Sequence, residues 1–231
     1  MTGTQMVTRV QALLGQNPSV TTNLVTQTHI IDFLNEAIEV MCLMGKVWVC
    51  REIIDLSKTG GVPTKLYAYP TADDITVALA AGGLVRCLSV ISVTYVPASG
   101  TLATGEALTL MEPNQRGKVH YTDATPQWWY QMGNYIYIIP DIGTGKIYVT
   151  FYGHPHLVAA DSTTYKWITS TNIATDRPPF GTEYHQYCVI YAAARGKVME
   201  RLYDEGLALL TGFSQSLGIQ LETLKAMMGL D

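Results

Sequence analysis

The sequence predicts an α+β chain in which helices from both ends form a bundle and an antiparallel β domain is inserted between them. Apolar residues recur at helical spacing over 4–14 and 28–45, at period two from Val47 to Tyr152, and again at helical spacing from Thr182 onward. Two N-terminal and one or two C-terminal helices cannot bury their apolar stripes alone, so they are expected to pack on each other. The predicted organisation is residues 1–46, N-terminal helices; 47–181, an inserted β domain of meander or sandwich type; and 182–231, C-terminal helices that complete the bundle.

In the first helix, Met6, Val10, Leu13 and Leu14 recur on one side, and Gly15 with Asn17-Pro18 stops it. In the second, Ile30, Leu34, Ala37, Ile38 and Met41 form one stripe, with Asp32, Asn35, Glu36 and Glu39 opposite. Thr26 or Thr28 caps its start and Gly45 is the expected stop. Residues 47–56 read as a strand, Gly60-Gly61 and Pro63 as a turn, and 65–69 as a short strand before Pro70. Residues 84–96 alternate well, 98–106 read as a loop, 108–111 as a short strand and 113–117 as a turn. Two strands, 128–131 and 135–139, flank the turn-forming pair Gly133-Asn134, and Pro140 closes the second. A third strand, 146–152, carries Ile147, Val149 and Phe151 on one face and Tyr148, Thr150 and Tyr152 on the other, which predicts a meander. Residues 153–181 read as loop. Beyond them, Tyr184, Tyr187, Cys188, Tyr191, Ala194, Val198 and Leu202 follow one helical face, and Gly206, Gly212 and Gly218 are expected to kink or break the helical stretch beyond Leu202.

Composition excludes several classes. The chain of 231 residues is 48% hydrophobic with a net charge of −4, which excludes a disordered protein. Its apolar runs are too short to span a membrane, and its start lacks the basic and apolar regions of a signal peptide. Cys42, Cys50, Cys87 and Cys188 form no CxxC pair and read as reduced core residues, so synthesis is expected inside the cell. Only 15% of residues are charged, against about 25% in an ordinary soluble domain, while there are 14 Tyr. Such a surface is expected to be rich in Thr, Ser and Tyr or to be covered by other chains.

The motifs give no chemistry. His154-Pro155-His156 has strand spacing for a metal pair, with His120 and Asp123 as conceivable partners, but no Cys or carboxylate nearby completes a site. Gly143-Thr144-Gly145-Lys146 lacks the upstream Gly and downstream Ser or Thr of a phosphate loop, and a strand comes after it. No GxSxG elbow is present, Asp73-Asp74 lies in a turn-like segment, and His185 reads as a satisfied helical histidine. No catalytic residue, cofactor or metal is expected. The partner-binding candidates are the C-terminal stripe Leu210, Phe213, Leu217, Leu221, Leu224 and Met228, with intramolecular core as the competing role, and the aromatic pair Trp128 and Trp129. No basic residue lies between Lys118 and Lys146, which argues against base stacking by that pair and leaves sugar binding as an alternative.

Four stretches, taken in order, resemble one family. They are residues 30–37 (IIDFLNEA), 51–56 running into Tyr67 to Pro70, the aromatic strands from Pro126 to Tyr152 with Pro155 and Leu157, and 184–194 (YHQYCVIYAAA). The set is similar to the head-to-tail adaptor (connector) proteins of tailed bacteriophages, including the tail-tubular-protein-A type; segment 71–106 has no counterpart in it. The resemblance implies a structural, non-enzymatic virion protein assembled in the bacterial cytoplasm. It also implies a homo-oligomeric ring, usually dodecameric, between the portal protein and the downstream tail or nozzle protein. Double-stranded DNA passes through the lumen of such a ring without sequence-specific binding. The acidic balance would then line a channel in which DNA slides without being held. The alternatives are another neck component (a stopper or tail terminator), a carbohydrate-binding β module on a helical base, or an enzyme built around His154, His156 and Asp123.

Overall fold

The computed structural model describes residues 1–16, 23–56, 67–68, 84–112, 115, 125–132, 135–139, 144–156 and 167–229. The chain divides into two compact units, Met1–Trp48 with Thr164–Asp231, and Val49–Thr163. Helices stand at both ends and sheets in the middle, an α+β arrangement.

The first unit contains α1 (Gly3–Leu14), α2 (Gln27–Leu43), α3 (His185–Met199), α4 (Tyr203–Leu217) and α5 (Leu221–Met228). A capping box starts α1: Thr2 Oγ1 accepts from Gln5 N, and Gln5 Oε1 accepts from Thr2 N at 2.9 Å. Of the two threonines that could cap α2, Thr26 does so, paired reciprocally with His29. The predicted stripe of α2 is buried throughout. Gly45, however, is not its stop: Met44 caps the helix in a right-handed conformation, and Lys46, at φ 48°, turns the chain. Asn35 departs from its predicted polar face. Its side chain is buried because segment 167–181, expected in the β domain, belongs to this unit, where Ile168 covers α2. The same segment supplies the carbonyls of Asp176 and Ile173 to the N–H groups of Gly3 and Thr4 (2.9 Å each), satisfying free amides at the start of α1.

Helix α3 packs against α1, α2 and α4. That position explains why the predicted stripe is incomplete: Cys188, Tyr191 and Ala194 are buried as expected, but so are His185, Val189, Ala192, Ala193 and Gly196, while Leu202 is exposed. A helix covered on three sides needs apolar or small residues nearly all round. The break after α3 falls at Arg201, at φ 63°, and not at Gly206, which lies inside α4. Gly206 instead permits a close approach, since a Cβ there would sit 3.0 Å from Val198 Cγ2 and 3.1 Å from the Ala194 carbonyl oxygen on α3. Gly212 also lies within α4, whereas Gly218, at φ 65°, ends it as expected.

The second unit holds eight strands among the described residues: β1 (Val49–Asp55), β2 (Tyr67–Ala68), β3 (Leu84–Val96), β4 (Glu106–Ala107), β5 (Thr109–Leu110), β6 (Trp128–Met132), β7 (Tyr135–Ile139) and β8 (Lys146–His156). They form two four-stranded sheets, in the orders β1-β8-β3-β4 and β2-β7-β6-β5. All pairs are antiparallel except the short β5–β6 pair. The β6–β7 hairpin agrees with the sequence, although its Gly133-Asn134 turn lies outside the described residues. So do the turn expected at Gly60-Gly61 and Pro63 and, apart from Gln115, the one expected at 113–117.

The predicted meander does not form. Instead of pairing with β7, β8 enters the first sheet between β1 and β3 and runs four residues past the expected end. Ile147, Val149 and Phe151 are fully buried there, and a central place with apolar strands on both edges buries more than a third hairpin position would. The region 98–106 is not all loop: a 3-10 turn spans Leu102–Thr104, and β4 then joins β3.

Gly145 sets the entry to β8. It adopts φ 87°, and a Cβ there would lie 2.6 Å from the Val96 carbonyl oxygen. Gly145→Ala is therefore expected to destabilise the chain by about 2–4 kcal/mol, from left-handed strain plus a clash with backbone that cannot move aside. Urea unfolding followed by circular dichroism reads this; an unchanged midpoint would contradict it.

Candidate interaction surfaces

The C-terminal stripe is largely intramolecular core. Leu210, Phe213, Leu224 and Met228 are buried, and Leu217 and Leu221 are half-buried. Phe213 packs against the ring of Tyr191 on α3, with centroids 5.3 Å apart. Facing it across α3, Tyr191 donates to Glu36 Oε1 at 2.7 Å and Arg195 Nε to Glu36 Oε2 at 3.1 Å, while the Arg195 guanidinium lies 5.5 Å from the Phe33 ring centroid. This α2–α3 clasp holds Tyr191 in place for Phe213. Burial and the neighbouring Glu36 carboxylate push the Tyr191 hydroxyl well above its usual range, so it stays a donor. Burial, reinforced by Glu36, likewise raises the carboxyl of Glu39. No sequence motif signals the clasp, because its members lie about 155 residues apart.

The tryptophans separate. Trp129 is only 4% exposed, while Trp128 is half-buried and packs on Met111, Tyr130 and Ile139. Buried residues adjoin one another along β6 and β7 (Trp129 and Tyr130, Ile138 and Ile139), so the β2-β7-β6-β5 sheet is covered on both faces there. Two open indole faces for a sugar are not offered.

The β1-β8-β3-β4 sheet differs. Its inner face is buried, but on the outer face Val49, Arg51 and Ile53 of β1 stand opposite Tyr152, Thr150 and Tyr148 of β8. Val49 is 56% and Ile53 51% exposed, and the three β8 residues are only partly buried. At the far edge of the same sheet, residues 97–104 are exposed without interruption, yet they are ordered by their own hydrogen bonds. Gly100 N donates to Pro97 O at 2.8 Å, and Thr104 Oγ1 both accepts from Thr101 N and donates to Thr101 O. The alternation of 146–152 gave the outer face of β8; the exposed rim had no signal beyond its small, uncharged residues. In the helical unit, a groove of about 330 Å³ between α1 and α3 is lined by Arg9, Ala12, Leu13, Gln186, Val189 and Ile190.

His154 and His156 lie on β8 opposite Arg86 and Leu84, while His120, Asp123 and Asp73-Asp74 fall outside the described residues. Among the described residues, no three His, Cys, Asp or Glu converge as metal ligands. Thr144-Gly145-Lys146 leads into a strand. Cys42, Cys50 and Cys188 form no disulfide; burial pushes Cys50 up to about 12, which leaves it a poor nucleophile, and Cys188 Sγ sits 3.5 Å from Met41 Sδ. The side chain of Cys87 is outside the described set. Among the described residues, no helix is long and apolar enough to cross a membrane.

His185 is a buried structural group. The Met1 amino group approaches Nδ1 at 2.7 Å and the Met1 carbonyl oxygen lies 3.1 Å from the same atom, while Nε2 is 3.2 Å from the Phe180 carbonyl oxygen. Burial lowers its pKa, aided by the Met1 ammonium and Arg177 and opposed by the backbone contacts. The depressed folded-state value means that its stabilisation is complete above the unfolded value of about 6.5 and is lost as pH falls through the folded pKa. Unfolding free energy is expected to decline as pH drops below about 6.5, and His185→Gln to flatten that decline in urea titrations at successive pH values; an equally steep variant would contradict the assignment.

The sequence profile of the family described as SU10 adaptor protein matches residues 1–228. No curated protein matches the chain.

Proposed function

Since the chain belongs to the SU10 adaptor protein family, a family of bacteriophage structural adaptors, we propose that it is one subunit of a homo-oligomeric, dodecameric ring that joins the portal to the downstream tail or nozzle protein. The observation that carries this proposal is the family match over residues 1–228. The finer expectations are that the helical unit docks the portal, that the β unit faces the next tail component in the manner of tail-tubular-protein-A adaptors, and that DNA passes through the lumen. A net charge of −4 supports a channel that lets DNA slide, because phosphate-neutralising Lys and Arg would retard it. The exposed, charge-poor outer sheet face is what a subunit covered by neighbours would carry. On this proposal the protein catalyses no reaction and resides in the neck of the virion. Negative-stain microscopy of the purified chain, alone and with its portal, is expected to show rings with a central hole. A strictly monomeric chain that binds no portal would overturn it.

A further inference from the structure

On the premise of a ring, we infer that the seam between neighbouring copies is formed by opposite edges of the β1-β8-β3-β4 sheet. The 97–107 rim of one copy, which ends on β4, docks on the outer β1 face of the next.

Three properties support this seam. The first is topology: β1 and β4 are the two outermost strands of one sheet, so joining them across copies uses two different patches of the same subunit. A contact of this kind is head-to-tail and generates rings, whereas self-pairing of one patch would close at a dimer.

The second is apolar surface on both sides. Val49 and Ile53 stand out from β1, and Leu102 stands out from the rim at 37% exposure. The rim's own hydrogen bonds hold it in one shape before contact, which reduces the ordering cost of association. Among the described residues β1 is a seven-residue edge strand, which is also a place that proteins ordinarily cover.

The third is charge. Arg51 sits between Val49 and Ile53 on the exposed face, and Glu106 is exposed on β4, after Leu102 of the rim. Neither has an ion-pair partner among the described residues. Each side thus offers one exposed charge and exposed apolar side chains, the two charges having opposite signs. This matches a second copy of the chain, and complementary charge fixes the register of such a contact.

The test compares the wild type with Arg51→Glu, Glu106→Arg and the double variant R51E/E106R by mass photometry across a concentration series, with circular dichroism to verify folding. Each single variant is expected to fold normally but to need at least about tenfold more protein to form rings, and the double variant to recover to within about threefold of wild type. Ile53→Asp serves as an uncompensated control and is expected to remain monomeric. Wild-type rings with single variants that assemble equally well would overturn the seam and leave the ring intact. Single-variant loss without double-variant recovery would overturn the pairing of Arg51 with Glu106. A wild-type chain that never forms rings would overturn the ring and the seam together.

Discussion

Phe213→Ala is expected to lower the stability of the chain by about 3–5 kcal/mol, the usual cost of emptying a fully buried aromatic site. The ring is enclosed, and the nearest large group, Tyr191, cannot move into the vacated space. Its hydroxyl is tied to Glu36 at 2.7 Å, and Arg195 holds the other oxygen of that carboxylate. A cavity whose wall is pinned relaxes poorly, which places the cost toward the upper part of the range. Met227, 45% exposed on α5, provides the contrast: Met227→Ser is expected to change stability by no more than about 0.5 kcal/mol. Urea unfolding of both variants measures this. The pair also separates the two roles that the sequence left open for the C-terminal stripe. If Phe213 served mainly as a docking residue, its alanine variant would stay stable and lose a partner instead.

The Phe213 case shows what a sequence can and cannot reveal here. Spacing identified Leu210, Phe213, Leu224 and Met228 as one stripe, because helical periodicity is a local property. It could not say whether the stripe faces the chain's own α3 or another molecule, since that depends on contacts between distant segments. The same limit explains the meander. The alternation in 146–152 correctly separated the Ile147, Val149 and Phe151 face from the Tyr148, Thr150 and Tyr152 face. Strand pairing, however, is chosen by the whole sheet, and β8 found β1 and β3, which begin more than fifty residues away in sequence. Glycines misled in a related way. Of the three glycines expected to break the helix between 206 and 218, only Gly218 takes a left-handed conformation, and Arg201, no glycine, takes another. Arg201 closes α3 without a glycine: its N–H bonds to the Val198 carbonyl and that of Leu202 to the Lys197 carbonyl. The exposed sheet face and rim were half legible: the pattern gave the face, but only the burial of the opposite side, and of both faces of the other sheet, marks it as the surface left open.

Asn35→Ala carries the second large effect, expected at about 2–5 kcal/mol. On sequence grounds Asn35 belongs with Asp32, Glu36 and Glu39 on the polar side of α2. In the fold its Nδ2 donates to the carbonyls of Ile31 at 2.9 Å and Ile168 at 2.8 Å, and its Oδ1 accepts from Ile168 N at 3.1 Å. One side chain therefore satisfies both backbone groups of a residue that is itself fully buried, and no water can replace it without opening the segment. Alanine strands the N–H and C=O of Ile168, each at about 1–3 kcal/mol. Leucine, with the same branching and number of side-chain heavy atoms, fills the site and restores none of the bonds. If the contribution of Asn35 is polar, Asn35→Leu costs about as much as alanine; if it is mainly packing, leucine recovers most of the loss. Amide hydrogen exchange at Ile168 supplies the second readout, expected to accelerate in both variants because its protecting acceptor is gone. Slow exchange at Ile168 in the alanine variant would show that another group satisfies this amide. Segment 167–181 would then hold to α2 without Asn35, and through it to the start of α1, whose amides take the carbonyls of Ile173 and Asp176.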